Sequence, residues 1–378
     1  MGSSFKIGRL FGIPIRIDIT FLLILPILAW QFGRSLAAAA QLAGVPPGRL
    51  HAGPWIWGLG IAVALFLSVL IHELAHSIYA QAKGGRIRDI TLMMIGGVSQ
   101  VAEPPKGARH EGVMAALGPL TSLALAGIFF LAYRALKGTG SFDLEFALFN
   151  LSYLNGFLGA FNLLPAFPMD GGRVLRALIT PRLGLVRATH VAAGVGKAFA
   201  LFFGVVGLLS LNLILLLIAW FVFIGAEGES RQVLVKAMLG ELRVRDLMSE
   251  PVQPIDADAS AEDAAERMLR ERRLSLPVHR ALEIVGIVTA GAIQRVPLER
   301  RRQVAVGQVA IEFPGLAPGD DVAVALREMR GDDMQQLPVV ENGRLVGSLR
   351  RGDVVRGLRL KELEASLQGP YAHRHVPV

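Results

Sequence analysis

The chain has 378 residues, of which 52% are hydrophobic, and its mean hydropathy is +0.48. This composition is too apolar for an ordinary soluble protein, and the length predicts more than one domain. The net charge of +8 does not indicate a nucleic-acid partner, because much of it flanks apolar segments, as membrane orientation requires. There is no cysteine, which excludes disulfides and thiolate metal sites.

Six apolar segments, each near the ~20 residues needed to cross a bilayer, dominate the first part of the chain. They cover residues 17–40, 55–82, 112–136, 142–164, 189–210 and 211–226. The first is too long for a signal-peptide core and lacks a cleavage pattern, so we expect no cleaved leader. Twelve Lys and Arg residues fall on the side that holds the N-terminus and four on the other. This bias predicts a multi-pass cell-membrane protein with both termini in the cytoplasm.

The second apolar segment contains His72, Glu73 and His76 in the pattern H-E-x-x-H. Residues four apart share one face of a helix, so both imidazoles can reach one metal ion, and zinc suits two imidazoles plus an oxygen. Glu73 is then placed to take a proton from a water that the metal makes acidic. The alternative is a pair of buried histidines satisfied by hydrogen bonds. Ionisable groups within a span usually mark a functional interior site, which favours the metal.

A third ligand is predicted at the end of the fourth segment, in FNLLPAFPMDGGR, residues 161–173. Its two prolines obstruct a regular helix. Non-helical backbone at membrane depth is tolerated only when it is buried in protein or faces water. Asp170 is therefore expected at the cytoplasmic end of the span, at a depth comparable to His72. A helix stop with a solvated aspartate is the alternative, and the H-E-x-x-H on the same side of the membrane favours the ligand.

Together, H-E-L-A-H and the later N-x-x-P-x-x-P-x-D-G resemble the site-2 protease family of intramembrane zinc metalloproteases. The resemblance covers nearly the whole chain and is strongest to prokaryotic members with a C-terminal CBS module, including those that process sporulation sigma factors. It implies one zinc ion per chain, held by His72, His76 and Asp170. It also implies that Glu73 is the general base and that Asn162 helps to position the substrate or the transition state.

The segment IRDITLMMIGGVSQV, residues 87–101, has β-branched residues around Gly96 and Gly97, which indicates a hairpin. In the family this region resembles a membrane-associated β element beside the active site. An exposed strand edge there can pair with an extended substrate. A simple connecting hairpin is the alternative. Gly118 and Pro119 in the third apolar segment predict a kink and a packing site.

The C-terminal part contains an internal repeat of about 60 residues. A polar linker, 227–243, leads to the first copy at 244–300 and the second at 301–360, and a tail, 361–378, is predicted to be flexible. Each copy has a helix followed by an apolar-Pro-Val strand. The two copies resemble a tandem CBS pair, an α/β cytoplasmic regulatory module that often binds adenine nucleotides and can form homodimers.

The nucleotide signature is incomplete in both copies. CBS nucleotide sites often carry Ser or Thr and Asp three residues apart. The first copy has Thr289 but Ala292, and the second has Asp353 but Arg350. Adenine-nucleotide binding is therefore a weaker expectation than the CBS fold itself.

The sequence thus predicts a polytopic α-helical membrane protein of about six spans with a cytoplasmic CBS pair. The predicted activity is hydrolysis of peptide bonds in or near transmembrane segments of a membrane-protein substrate, such as an anti-sigma or pro-sigma factor, without a covalent intermediate. A CBS-gated transporter or channel is the alternative, and it predicts transport that survives loss of Glu73. An inactive scaffold is disfavoured because it has no physical need for His72, Glu73, His76 and Asp170 together.

Overall fold

A computed structural model describes residues 4–46, 50–94, 96–138, 141–281, 283–313, 315–329, 334 and 336–368. The chain divides into two compact units, Met1–Arg231 and Gln232–Val378, which are described separately below. Parts of the predicted C-terminal tail, residues 369–378, lie outside the described residues.

The first unit is built on long apolar helices. Among the described residues, the helices that begin in it are α1 Ile19–Leu42, α2 Pro54–Ala82, α3 Ala108–Leu136, α4 Phe142–Asn162, α5 Asp170–Leu183, α6 Leu185–Leu209 and α7 Leu213–Glu241. Within the described residues, α1, α2, α3, α6 and α7 are long and apolar enough to cross a membrane. These five correspond to five of the six predicted spans and confirm the polytopic helical architecture.

The fourth predicted span forms a helix at the expected place, but α4 differs from the five apolar helices in composition. It has 21 residues and includes Asp143, Glu145 and three asparagines, which keep it out of that set. Its buried positions recur every four residues, which is the spacing of one helix face. On that face Asn155 Nδ2 donates a hydrogen bond of 3.2 Å to Ser68 Oγ of α2. The polar residues of α4 are thus partly used in helix packing.

A four-stranded sheet accompanies the helices. Its strands are β1 Ser4–Leu10, β2 Ile13–Asp18, β3 Arg86–Met93 and β4 Gly96–Glu103, in that spatial order. Strands β3 and β4 form the antiparallel hairpin predicted for residues 87–101, which is confirmed. Strand β2 pairs in parallel with β3, placing Ile15 opposite Ile90. Strand β4 is an edge strand of this sheet.

The N-terminal hairpin β1–β2 was not predicted, and it shifts the start of the first span. Residue 17 is in β2, and α1 begins only at Ile19. Asp18 caps the helix: its Oδ1 accepts hydrogen bonds from Thr20 N at 3.0 Å and from Thr20 Oγ1 at 2.8 Å. The sheet packs on α1 and α2 through a shared apolar core of Ile13, Ile15, Phe21, Phe66, Leu70, Leu74, Ile90 and Leu92.

The second unit has the alternating helices and strands of the predicted repeats. Its helices are α8 Val244–Leu247, α9 Ala261–Glu271, α10 Ala290–Gln294, α11 Val306–Val309, α12 Val322–Glu328 and α13 Arg351–Gln368. Its strands are β5 Ile255–Asp256, β6 Ser275–Arg280, β7 Glu283–Thr289, β8 Ile311–Glu312, β9 Gln336–Glu341 and β10 Arg344–Arg350. The hairpins β6–β7 and β9–β10 are the equivalent parts of the two copies.

The two copies exchange their first helices. Val244 of α8 is fully buried in the core of the second copy, beside Val322 and Leu337. Val306 of α11 is fully buried in the core of the first copy, and its amide donates to Ala259 O at 2.8 Å. Each buried valine contributes roughly 1.5–3 kcal/mol relative to exposure. The sequence boundaries 244–300 and 301–360 therefore mark repeats whose cores each contain a segment of the other.

The predicted linker and tail coincide partly with helices. Helix α7 continues to Glu241, through most of the linker 227–243, and α13 continues to Gln368, into the predicted tail. The domain boundaries and the flexibility of the tail stay predictions.

Candidate active site

Helix α2 places the two histidines of the H-E-x-x-H motif on one face. Pro54 begins the helix, where its missing amide hydrogen costs nothing, and 29 residues continue without a break to Ala82. His72 is buried and His76 nearly so, and their Nε2 atoms lie 3.2 Å apart. The motif therefore directs two nitrogen ligands at one point.

Asp170 reaches that same point from the start of α5. Its Oδ2 lies 3.2 Å from His72 Nε2 and 3.2 Å from His76 Nε2. The chain reaches this position through a tight, non-helical segment after α4. Gly171 and Gly172 are packed against the backbone of that segment, where a Cβ on either would overlap backbone atoms. The two glycines of the predicted motif thus permit the turn that delivers Asp170.

Helix α3 holds the far side of each imidazole. His72 Nδ1 lies 2.9 Å from Ser122 Oγ, and His76 Nδ1 lies 2.7 Å from the carbonyl oxygen of Met114. A carbonyl only accepts, so His76 Nδ1 carries the hydrogen and its Nε2 keeps a lone pair for a metal. Sequence reasoning missed both partners. The four-residue spacing of Met114, Gly118 and Ser122 puts them on one face of α3, but nothing in the sequence directs that face at the histidines.

Gly118 leaves the space in which the ligand atoms meet. A Cβ at this position would overlap the ring of His76 and lie 2.7 Å from His72 Nε2. The prediction for Gly118 was a kink and a packing site. Its close approach to His72 and His76 shows that the packing is against the two histidine rings of the H-E-x-x-H motif.

Glu73 lies beside the sheet edge. A Cβ on Gly97 of β4 would lie 2.6 Å from Glu73 Cγ, so strand and carboxylate are in close contact. One turn further along α2, Ser77 Oγ lies 2.9 Å from Ser99 Oγ of the same strand. The edge strand β4 is therefore fixed along α2 beside Glu73.

A cavity of about 600 Å³ opens between the sheet edge and the three ligand residues. Glu73, Val98, Asn162 and Arg173 line it. Asn162 is the last residue of α4, and its Nδ2 donates to Leu158 O at 3.0 Å. Arg173 was not singled out in the sequence, although it follows directly after the glycine pair of the motif.

The three candidate ligand atoms fit zinc. Two imidazole nitrogens and one carboxylate oxygen are a common donor set of catalytic zinc. Ligand atoms of a tetrahedral zinc ion, at about 2.0 Å from the metal, lie about 3.3 Å from each other. Here the three separations are each 3.2 Å. In the described part of the chain, these are the three His, Cys, Asp or Glu residues grouped closely enough to hold a metal ion.

The candidate nucleotide residues of the second unit are placed differently. Thr289 Oγ1 accepts from Ala292 N at 3.2 Å and caps α10. Asp353 is buried, and its Oδ2 accepts from Ser249 Oγ and from Arg350 N, each at 3.1 Å. Both side chains therefore already have partners within the unit.

These observations define a class of protein: a multi-pass membrane protein with a metallohydrolase site in its helical part and a repeated α/β module after it. Sequence comparison gives the family. The model of peptidase family M50 matches residues 60–149 and 139–203, and the CBS domain model matches residues 244–299 and 306–360. The CBS matches agree with the two predicted repeats.

Two relatives of known class support this assignment over most of their length. The zinc metalloprotease MJ0392 of Methanocaldococcus jannaschii is 33% identical over 374 residues, covering 97% of this chain and 100% of that protein. The Rip3 protein of Mycobacterium tuberculosis is 31% identical over 373 residues, covering 94% of this chain and 93% of that protein. A solved structure of a site-2 protease from Methanocaldococcus jannaschii is 36% identical, covers 60% of this chain and 95% of that chain, and has a TM-score of 0.42.

The chain therefore belongs to peptidase family M50, the site-2 protease family of zinc metalloproteases, and carries a CBS pair. The prediction of a zinc metalloendopeptidase is confirmed at the level of the family, and the transporter or channel alternative is not supported.

Proposed function

We propose that His72, His76 and Asp170 hold the zinc ion of this protease and that Glu73 is its general base. The observation that carries the proposal is the triangle of ligand atoms, with each side 3.2 Å. The hydrogen bonds from the outer nitrogens to Ser122 and Met114 support it, because they hold both rings in the orientation that ligation needs.

Zinc, when bound at such a site, supplies Lewis-acid chemistry that makes water a better nucleophile and a peptide carbonyl more reactive. Glu73 then accepts the proton that the attacking water loses and delivers it to the amine of the departing peptide. No side chain forms a bond to the substrate in this scheme. Asn162 lines the same cavity as Glu73 and is proposed to position the substrate or the transition state.

The substrate is proposed to be a membrane protein that is cleaved in or near a transmembrane segment. A helical peptide bond is inaccessible to the attacking water, so the segment must unwind before cleavage. The backbone of an edge strand can pair with an extended peptide, and β4 lies beside Glu73 and lines the cavity. An anti-sigma or pro-sigma factor is the proposed kind of substrate, as the resemblance of the motifs to the site-2 protease family implies.

The orientation in the cell membrane is proposed from the distribution of Lys and Arg: both termini and the CBS pair lie in the cytoplasm. The CBS pair is proposed to regulate cleavage and to provide a homodimer contact. Adenine-nucleotide binding is a weaker part of this proposal, because Thr289 and Asp353 already have partners. Nucleic acid is not proposed as a partner.

The test of the catalytic site is the pair Glu73→Gln and Asp170→Ala in purified protein, with zinc content and cleavage of a single-span substrate measured side by side. Glu73→Gln should keep about one zinc ion per chain and lose at least about 10²-fold in cleavage rate, because the amide cannot accept a proton. Asp170→Ala should lose both zinc and cleavage. Full zinc retention in Asp170→Ala, or near-normal cleavage by Glu73→Gln, contradicts the corresponding assignment.

Regulation is tested with a chain that ends at Arg231, the boundary of the first unit. It should insert and bind zinc, since every proposed ligand precedes residue 171. Its cleavage rate or substrate preference should differ from that of the full chain by about fivefold or more, the usual lower size of an allosteric coupling. An unchanged rate on the same substrate, with and without nucleotide, makes the CBS pair a passive domain.

A further inference from the structure

Arg176 is a buried cation about one turn beyond the glycine pair of α5. Its side chain is 7% exposed, and neither its Nε nor its Nη1 has a hydrogen-bond partner among the described residues, so the contact of Nη1 with a carboxylate is an ion pair and not a hydrogen bond. A buried guanidinium is costly unless carboxylates compensate its charge. The partners of Arg176 are therefore expected to determine where α5 can lie.

Two acidic residues from different helices compensate this charge. Glu111, in the first turn of α3, forms an ion pair with Arg176 Nη2. Glu229 of α7 lies 3.3 Å from Arg176 Nη1, and its other oxygen lies 3.8 Å from Arg173 Nη2. The carboxylates of Glu111 and Glu229 are mostly buried as well, each with about 20% side-chain exposure. This cluster of two arginines and two glutamates joins α3, α5 and α7.

The same guanidinium contacts the segment that delivers the aspartate ligand. Its central carbon lies 4.9 Å from the centre of the Phe167 ring, and Phe167 is fully buried. A cation over an aromatic face is attracted by the ring, more strongly when both are desolvated. Phe167 precedes Asp170 by three residues, and Arg173 follows it by three. Asp170 therefore lies between Phe167, which contacts the ion cluster, and Arg173, which belongs to it.

Helix α7 contributes a second contact to this segment. A Cβ on Gly225 would lie 2.5 Å from Pro168 Cγ, so α7 packs directly against the residue after Phe167. Four residues later on the same helix, Glu229 binds the two arginines of α5. The helix thus contacts both the segment before Asp170 and the helix after it.

We propose that Glu229, through Arg176 and Arg173, positions Asp170 against His72 and His76, so that α7 determines how firmly the metal is held. This inference rests on the proposed role of Asp170 as a ligand. Glu229 acts through other residues and is a positioning residue.

The experiment compares Glu229→Gln with a matched control on the same helix, Glu227→Gln, in the full-length zinc-loaded protein. Glu227 also forms an ion pair, at 2.6 Å with Lys197, but these side chains are 54% and 41% exposed, far more than Glu229 and Arg176. The readout is the rate at which zinc passes to an excess of a coloured chelator. Glu229→Gln should release zinc about tenfold faster than the unsubstituted protein, as for residues that support metal ligands. Glu227→Gln should match the unsubstituted protein.

A second readout separates positioning from a general loss of stability. Cobalt-substituted protein should show altered visible absorption bands in Glu229→Gln but not in Glu227→Gln, because these bands report the ligand arrangement. Glu229→Asp keeps the negative charge and should restore most of the zinc retention. If Glu229→Gln fails to insert into the membrane, the same measurements are made on Glu229→Asp, whose shorter side chain should release zinc at a rate between those of the unsubstituted protein and Asp170→Ala. Unchanged zinc release and unchanged cobalt bands in Glu229→Gln overturn the inference, as does equal acceleration in Glu227→Gln.

Asp170→Ala is measured in parallel to separate the two proposals. If Asp170→Ala releases zinc rapidly while Glu229→Gln behaves normally, only the positioning role is wrong. If Asp170→Ala itself retains zinc normally, the ligand assignment fails and the positioning role fails with it.

Discussion

The metal site of the first unit and the Thr289 and Asp353 positions of the second unit both bury polar side chains, but these side chains are used in opposite ways. At the metal site, the outer nitrogens of both histidines have partners, whereas the inner nitrogens and the Asp170 oxygen point at one another. In the second unit, the Thr289 hydroxyl and the Asp353 carboxylate each accept hydrogen bonds from their own fold.

This difference shows how a buried polar group that serves function can be distinguished from one that serves structure. The two Nε2 atoms and the Asp170 oxygen lie 3.2 Å from one another, so a cation or protons must lie between them, which is the arrangement that a metal site requires. A hydroxyl that caps a helix is satisfied without any ligand. The comparison predicts large functional effects around the metal site and only structural effects at Thr289.

The largest effect is expected from Gly118→Ala, which places a methyl group against both ligand rings. The new Cβ would lie 2.7 Å from His72 Nε2 and overlap His76. Zinc affinity should fall about 10²-fold, and cleavage should be lost with the metal. The measurement is zinc content after dialysis against a competing chelator.

Gly127→Ala is the matched control for this change, since it lies on the same helix α3 with no atom within 4 Å of the added methyl group. It should bind zinc and cleave as the unsubstituted protein does. Equal zinc affinity in Gly118→Ala and Gly127→Ala would show that the space at Gly118 is not needed for zinc binding. The close packing around the two histidine rings would then not explain how the site works.

A smaller effect, on catalysis alone, is expected from Gly97→Ala. The added Cβ would lie 2.6 Å from Glu73 Cγ, so the carboxylate must move, whereas the three ligands are not touched. A displacement of this size at a reacting group costs about 10²-fold in rate. The maximal cleavage rate should therefore fall while zinc content is unchanged.

Gly60→Ala adds the same methyl group to α2 at a position with no atom within 4 Å, and it should have no effect on cleavage. If Gly97→Ala lowers zinc content as much as the cleavage rate, the sheet edge supports the ligands and not the base. The assignment of β4 to the position of Glu73, and of α3 to the positions of the two histidines, would then be wrong.

The site residues that could be predicted from the sequence are those that belong to a short, continuous motif. The H-E-x-x-H spacing is a property of one helix, and Asp170 follows a run of prolines and glycines that is readable without the fold. Met114 was not predicted because a backbone carbonyl leaves no trace in the sequence, nor was Ser122, because one serine in an apolar helix has many explanations. Glu229 lies 59 positions after Asp170, so its link to the site needed the packing of α5 and α7.

The fold shows the same division between local and distant information. The hairpin β3–β4 is a local structure with a glycine turn and was predicted, whereas β1–β2 was not. The alternation of Phe5 and Ile7 with Lys6 was readable as a strand, but the pairing of β2 with β3 joins residues about 75 positions apart. In the second unit, the repeats were visible in sequence, but the exchange of α8 and α11 between the two cores was not.

The smallest effect is expected from Thr289→Ala, and it tests the other half of the comparison. Loss of the Thr289 cap on α10 should lower the free energy of unfolding of the second unit by about 1 kcal/mol. Thr289→Ser keeps the hydroxyl and should restore most of that loss. Hydrogen exchange of the second unit in full-length protein measures the stability, and calorimetric titration with ATP and AMP measures nucleotide affinity. Because the hydroxyl already accepts from Ala292 N, Thr289→Ala should leave any nucleotide affinity within about twofold, a free-energy change below about 0.5 kcal/mol. A tenfold weaker affinity in Thr289→Ala that Thr289→Ser restores would make this hydroxyl a ligand, and the contrast between the two units would no longer hold.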